Sequence, residues 1–439
     1  MINSKDEKQA APVFDVFNVF FDRIYEPSMH IVFCSDGIID DIILKKAVTQ
    51  YLKSDPYLSS RFEIKDGMYF WHHESGYKTE DYFYLKKIAG SAEYILNNPP
   101  PPVNVYKGPQ IRAGIYRNES SDFLVFSCHH GFCDAGGLKF MAKEIFSIYR
   151  ELKKNPLYIP EYKGWYYRGT KDILDKFSPE YIKSVLADET PFSDRWAFPF
   201  EYIGRGTPQF SMRKLSPVRM KKIKEFGKKY NATVNDILIG AFFLALLKIN
   251  SCDSDEESEK SILTSADIRK YYGRDFDNHP QNLSVAFQIS LKAKRDYELK
   301  DIIEETAKIT RRKKSKDLGL GCIAFYEKIF SEGESFINGF FDNMMQSYEK
   351  TNFKNPVFSN IGIIDENYFL NLKAKNNTDL NVTDAFFLPV VCHPPGFLMT
   401  ASTFKDSIFI VCGYEEGPYS KDTVERFLEY TDFLILGND

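Results

Sequence analysis

An α/β protein built in two halves is predicted by three observations on this 439-residue chain. Short apolar runs of strand length alternate with longer stretches of helical period. The local order of strand, loop and helix in the first part is restarted in the second. Between them, residues 153–210 are rich in Pro, Gly, Trp and Tyr with weak periodicity, as a crossover would be. The boundary is placed at residue 185, giving halves 1–185 and 186–439. Composition agrees: 43% hydrophobic, 15% aromatic and 27% charged residues supply sizeable cores and exclude wholesale disorder.

Taken in order, the first half opens with a helix of about 15 residues within 38–62, where Ile39, Ile42, Ile43, Ala47, Val48 and Leu52 share one face. Asp55-Pro56 punctuates its end, and Asp66-Gly67 reads as a hairpin turn before the strand formers of MYFWH. NNPPPPV at 97–103 can be neither helix nor central strand and is a connector. FLVFSC then has strand length, and Leu138, Met141, Ile145, Ile148 and Leu152 follow helical period. In the second half, Ser216-Pro217 opens a basic helix through Tyr230. Thr233 caps an apolar helix to Lys248, with Asp236 at its positive end. Being apolar nearly all round, that helix must be buried. The acidic tract 253–259 reads as a solvated loop, and strands at 283–291, 358–364, 397–404 and 408–412 precede a last helix at 421–433. No short-period repeat is present.

Several function classes are excluded. Lys+Arg 57 against Asp+Glu 61 leaves a charge of −4, without the basic excess that phosphate neutralisation needs, so no nucleic-acid partner is expected. The longest apolar run, 237–247, falls short of the ~20 residues of a membrane helix, and the N-terminus has no signal-peptide core. No transmembrane segment is expected. Seven cysteines (Cys34, Cys128, Cys133, Cys252, Cys322, Cys392, Cys412) without a CxxC pair read as reduced thiols of a cytoplasmic protein.

The residues that carry chemistry converge on His129-His130-Gly131-Phe132-Cys133-Asp134-Ala135-Gly136-Gly137. A histidine there can serve as general base, a carboxylate or the backbone can orient it, and glycines let the main chain approach a ligand. A loop of solvated histidines fits the same residues. Cys128, His129, His130 and Cys133 depart from zinc-ligand spacing, and His72 and His73 on one strand point to opposite faces, so no metal is expected. His393, before two prolines, reads as a turn histidine.

HHGFCDAGG resembles the HHxxxDG motif of the CoA-dependent acyltransferase superfamily, which includes chloramphenicol acetyltransferase, alcohol O-acetyltransferases, mycobacterial polyketide-associated acyltransferases and nonribosomal-peptide condensation domains. PYLSSRF at 56–62, TVNDILIGAFFLAL at 233–246, SADIRKYYG at 265–273 and FSNIGIID at 358–365 resemble its other landmarks in the expected order. Ala135 departs from the usual glycine and would be strained if that position needs a positive φ.

The resemblance implies two chloramphenicol acetyltransferase-like halves, each a mixed sheet with helices, and an active-site tunnel between them. It makes His130 the catalytic base and gives His129, Gly136 and Gly137 to support of the loop. Asp134 would point away from substrate and pair with Arg269. The implied reaction moves an acyl group from acyl-CoA, a cosubstrate and not a bound cofactor, to the hydroxyl of a small or lipophilic alcohol, with both substrates meeting at His130. Ser359 and Asn360 are candidates for oxyanion or substrate positioning, with Ser402 and Thr403 behind them; a strand-edge turn accounts for Ser359-Asn360 equally well. Cys133 as a nucleophile ranks below His130, since the family needs no cysteine. Lys221, Lys222, Lys224, Lys228 and Lys229 are candidates for the CoA phosphates, a solvated helix face being the plainer reading. A condensation-type enzyme fed by an acyl carrier protein, and a non-catalytic member that binds acyl or CoA ligands, are the alternatives. A monomer is expected.

Overall fold

In a computed structural model, residues 8–188, 193–250, 257–273, 279–315 and 317–436 are described. Two mixed sheets dominate. The first has five strands in the order Val382–Leu388, Ser28–Ser35, Asp122–His129, Arg112–Arg117 and Phe83–Lys87, antiparallel except for the last pair. The second has six, in the order Ser284–Ala293, Ser258–Asp267, Val357–Ile363, Leu398–Phe404, Ser407–Glu416 and Thr207–Leu215. Its Val357–Ile363 strand is parallel to both neighbours, and the other pairs are antiparallel.

Helices cover each sheet, and each half has its own large core. Asp41–Ser54 and Ala135–Lys154 pack against one another, the latter also against the two central strands of the first sheet. In the second half Val234–Ile249 is sheathed by Pro217–Lys229, Leu299–Ser315 and Lys421–Leu434, and it is buried from Ile237 to Leu247 as its apolar surface requires. Thr233 and Asp236 form a reciprocal capping box at its start. Asp66 (φ 52°) and Gly67 (φ 72°) make the left-handed turn between Ser60–Lys65 and Met68–His73.

The halves are not segregated along the chain. Val382–Leu388, from residues assigned above to the second half, completes the first sheet beside Ser28–Ser35, and Tyr25–Glu26 pairs with Val391–Cys392. Within 153–210 lie two short helices, Lys171–Leu174 and Pro179–Asp188, and the start of the edge strand Thr207–Leu215, so this stretch is more than a crossover. Of the acidic tract, 253–256 lie outside the described residues, and its last residues run into the strand that begins at Ser258. Cys252 also lies outside them; Cys34, Cys128, Cys133, Cys392 and Cys412 form no disulfide among the described residues. Among the described residues no single helix is long and apolar enough to cross a membrane.

Candidate active site between the halves

The central strand Asp122–His129 ends where the two halves meet. A tight loop follows, closed by N–H groups of Phe132 (2.8 Å) and Cys133 (3.4 Å) on the His129 carbonyl. Asp134 then caps the helix Ala135–Lys154, its Oδ1 accepting the Gly137 N–H at 2.9 Å. Its carboxylate also reaches into the other half: Arg269 binds it with both terminal nitrogens at 2.9 Å each, and the Leu283 N–H donates to Oδ2 at 2.8 Å. Burial alone would raise the pKa of Asp134, but the Arg269 charge and these N–H donors hold it below the usual carboxylate value. Its oxygens are committed, so it is a brace across the interface.

Ala135 is the first residue of that helix and is not in the left-handed region, so the strain expected of it does not arise. Gly136 and Gly137 are required by space instead of dihedral angle. A Cβ on Gly136 would stand 2.9 Å from Arg269 Nη1, and one on Gly137 would stand 2.7 Å from Cys133 Cβ and 3.1 Å from the Gln281 nitrogen.

His129 is buried, and its Nδ1 accepts the Gly131 N–H at 2.9 Å, which places the proton of the neutral ring on Nε2. Burial and the neighbouring His130 depress its pKa to about 3. His129 is therefore a neutral clasp of the loop. His130 differs: half-buried, it lines a cleft of about 140 Å³ between the halves, and its buried Nδ1 makes no hydrogen bond among the described residues. Burial lowers its pKa, opposed by its own backbone carbonyl, the Asp134 charge and the Asn282 carboxamide.

The cleft gathers some of the expected residues and passes over others. Ser359 lines it, with its hydroxyl 2.8 Å from that of Ser265, also in the lining. Asn360 lines it too, but its carboxamide is spent on Asn235 Oδ1 (3.0 Å) and the Gly362 N–H (2.9 Å). Thr400 contributes in place of Ser402 and Thr403, which do not line it; Ser402 is fully buried. Met29, Phe387, Val390 and Leu398 make the apolar wall, Phe387 coming from the strand that crosses between halves. The lysines of Pro217–Lys229 are not in the lining; their helix packs on Val234–Ile249, and Lys224 pairs with Asp406 at 3.0 Å. Lys139 is the lining lysine, its Nζ donating to the Ile361 carbonyl at 2.7 Å.

A second buried ion pair behind the loop was missed in the sequence. Asp15, fully buried in Val13–Phe20, accepts from Trp71 Nε1 (2.9 Å), Arg168 Nη2 (2.9 Å) and Asn282 Nδ2 (3.0 Å). Arg168 also donates to the carbonyls of Phe132, in the motif loop, and Pro280, in the other half. Its guanidinium lies 4.6 Å from the Phe132 ring centre and 4.8 Å from that of Tyr57. Asn282 Nδ2 lies 3.2 Å from the Gly131 carbonyl. The available signal was an aspartate inside the apolar run VFDVF, which can be buried only with a partner. His393 opens the turn read for it, its carbonyl accepting the Gly396 N–H at 2.8 Å. It is buried, with Nδ1 2.9 Å from Glu415 and 3.1 Å from Arg205. His72 pairs with Glu63 at 2.6 Å, and no group of three metal-ligating side chains occurs among the described residues.

The family model of the condensation domain matches residues 17–254. Bacitracin synthase 1 of Bacillus licheniformis is 22% identical over 357 residues, 75% of this chain and 6% of that one. The chain thus spans a small fraction of that relative. Among solved structures, the trichothecene 15-O-acetyltransferase of Fusarium sporotrichioides superposes with a TM-score of 0.73 at 13% identity, covering 99% of this chain and 96% of that one. The first condensation domain of the CDA synthetase gives 0.65 at 11% identity over 99% and 96%. Polyketide synthase associated protein 5 of Mycobacterium tuberculosis gives 0.61 at 15% identity over 98% and 99%. At these identities the superpositions establish the fold.

Proposed function

The chain belongs to the condensation-domain family, and from that premise we propose that it is an acyltransferase that moves an acyl group from acyl-CoA to a hydroxyl, with His130 as general base. The observation that carries this reading is the division of labour in the motif. Asp134 and the His129 Nδ1 are bound to protein groups, while of the two histidines His130 alone lines the cleft. Burial keeps that ring neutral near pH 7, the form a base needs.

In the proposed reaction the acceptor O–H lies against the His130 imidazole. As its oxygen bonds to the thioester carbonyl carbon, the proton passes to the ring and the carbonyl becomes an oxyanion. Ser359, backed by Ser265, is the hydroxyl we assign to that oxyanion, since the Asn360 carboxamide is engaged elsewhere. Collapse breaks the C–S bond, and the departing thiolate takes the proton from His130. General-base assistance of this kind contributes roughly 10²- to 10⁴-fold.

Release of free thiol from acetyl- to palmitoyl-CoA with a panel of alcohols and amines tests the reading. Acceptor-dependent release that disappears in His130→Ala is the expected result; no release from any CoA thioester refutes the donor. The family match and the bacitracin synthase likeness favour a second reading, in which the donor is held by an acyl carrier protein and the acceptor is an amine. Acyl-loaded carrier protein as the only productive donor would select it. Binding of thioesters without turnover of either donor would select the non-catalytic member.

A further inference from the structure

Cys128 and Cys133 stand side by side at the two ends of the motif loop, their sulfurs 3.5 Å apart, and both side chains are fully buried. The first precedes His129 and the second precedes Asp134, so the contact spans the whole segment that carries His130. Neither zinc ligation nor a Cys133 nucleophile makes use of it. We propose that this dithiol is an oxidation site, which hydrogen peroxide converts to a disulfide that closes the motif loop on itself; its effect on turnover through His130 rests on the acyltransferase reading.

The sulfurs are already placed for the step. An S–S bond of about 2.05 Å asks them to approach by about 1.5 Å. Cys128 is held in a central strand, opposite Met29, so the travel falls on Cys133. That residue is loosely tied: its N–H reaches the His129 carbonyl at 3.4 Å, against 2.8 Å for the Phe132 N–H. Asp134 follows it in the chain, with its own N–H on the Gln281 carbonyl at 3.3 Å. Drawing Cys133 toward the strand therefore pulls on residues 129–132 from one side and on the Asp134 brace from the other. The other buried cysteines differ. Cys34, Cys392 and Cys412 have no second thiol within bonding range among the described residues, so oxidation there stops short of a disulfide.

The electrons balance with one equivalent of peroxide. One sulfur attacks a peroxide oxygen, the O–O bond breaks, and a sulfenic acid and one water result. The second sulfur then attacks the sulfenic sulfur, the S–O bond breaks, and the departing hydroxide leaves as a second water with that thiol's proton. Two thiols have lost two protons and two electrons, and the peroxide has been reduced to two waters. Burial and the adjoining Cys128 thiol hold the Cys133 thiol above its usual range, so the nucleophilic thiolate is scarce in the closed loop. Oxidation is accordingly slow and runs through local opening of the loop, and the finished bond is sheltered from bulky reductants.

The test treats the whole protein with hydrogen peroxide, alkylates the remaining thiols in denaturant, and weighs the tryptic peptide 118–139, which holds both cysteines and no other. The expected peptide is unalkylated and lighter than the dithiol form by two hydrogens, and dithiothreitol returns it to the dithiol. Thiol release from acyl-CoA is expected to fall with it by about 10²-fold, the cost of displacing a catalytic group by about 1 Å, and to recover with the same reductant. Cys128→Ala, which can form no such bond, is expected to keep its turnover through the treatment. A peptide that stays doubly alkylated, or that carries only sulfinic acid, overturns the site. A disulfide that leaves turnover unchanged, or an equal loss in Cys128→Ala, overturns its hold on His130. Should Cys128→Ala not fold, recovery of the unmodified protein with dithiothreitol, in step with the peptide, decides the same point. If the unmodified protein turns over no thioester, the acyltransferase reading fails by itself, and the peptide mass still decides the dithiol.

Discussion

Gly136 lies against Arg269 so closely that a Cβ would stand 2.9 Å from Nη1 and 3.1 Å from Cζ of that guanidinium. The guanidinium has no free direction to yield in, since Asp134 holds it with two 2.9 Å bonds. Gly136→Ala is therefore expected to lose about 1–3 kcal/mol, the usual cost of overpacking. Arg269→Ala, which strands a buried carboxylate, is expected to lose about 3–5 kcal/mol. Urea unfolding of both variants checks this. Gly136→Ala with wild-type stability would mean that the glycine serves something other than the brace.

The Asp15–Arg168 pair predicts a different pattern. Arg168→Met keeps bulk among Phe132, Tyr57 and Trp71 but leaves the buried Asp15 carboxyl without its cation, so a loss of about 3–5 kcal/mol is expected. Asn282→Ala removes the donor to Asp15 and to the Gly131 carbonyl, together with the carboxamide that raises the His130 pKa. Its expected cost is about 1–3 kcal/mol in urea, with kcat falling more than KM rises because the loop carrying His130 loses its anchor. A rise in KM with kcat intact would count against that anchoring role.

The two residues of the Ser359-Asn360 pair should separate by kind of effect. Ser359→Ala removes the hydroxyl assigned to the oxyanion and is expected to lower kcat by about 10²-fold with little change in melting temperature. Ser265→Ala, one step behind it at 2.8 Å, is expected to have a smaller effect in the same direction. Asn360→Ala breaks bonds to Asn235 and Gly362 and is expected to cost about 1–3 kcal/mol of stability. Steady-state kinetics beside thermal melts distinguish them, and a larger kcat loss in Asn360→Ala would reverse the assignment.

The features legible in the sequence are those written locally. The capping box of Thr233 and Asp236 needs only residues three apart, and the Asp66-Gly67 turn only two. The Asp134–Arg269 pair was reached across 135 residues because a family motif marks both ends. Arg168 has no such marker: its partners are 153 and 112 residues away in Asp15 and Pro280, and nothing in WYYRG distinguishes a buried guanidinium from an exposed one. The crossing strand Val382–Leu388 escaped for a related reason. Pairing with Ser28–Ser35 is a contact over some 350 residues, and sequence period reports burial, not neighbours. Ala135 shows the reverse error, since a glycine preference in a motif was read as dihedral need where space near Arg269 is what matters at the next position.

Acid should weaken the fold before its carboxylates titrate. His30 and His129 are both buried, and burial takes each to about 3 from an ordinary 6.5. Above 6.5 the rings are neutral in folded and unfolded chains alike, so they contribute no pH dependence. As pH falls through 6.5 toward 3, the unfolded chain takes up protons that the folded one does not, and unfolding becomes easier. Each ring is expected to subtract up to about 1 kcal/mol per pH unit in that window. His30→Gln keeps a polar group for the Ser127 hydroxyl, now 2.7 Å from Nδ1, while removing one of the two titrations. Urea midpoints at about pH 7, 6 and 5 should therefore fall less steeply in this variant than in the unmodified protein. The lowered pKa of His130 adds a kinetic counterpart: the neutral base persists through pH 7, so kcat/KM is expected to stay level there and decline only below 6.5. Equal slopes in the two proteins would show that His30 is protonated as readily folded as unfolded, which its burial between the sheets opposes.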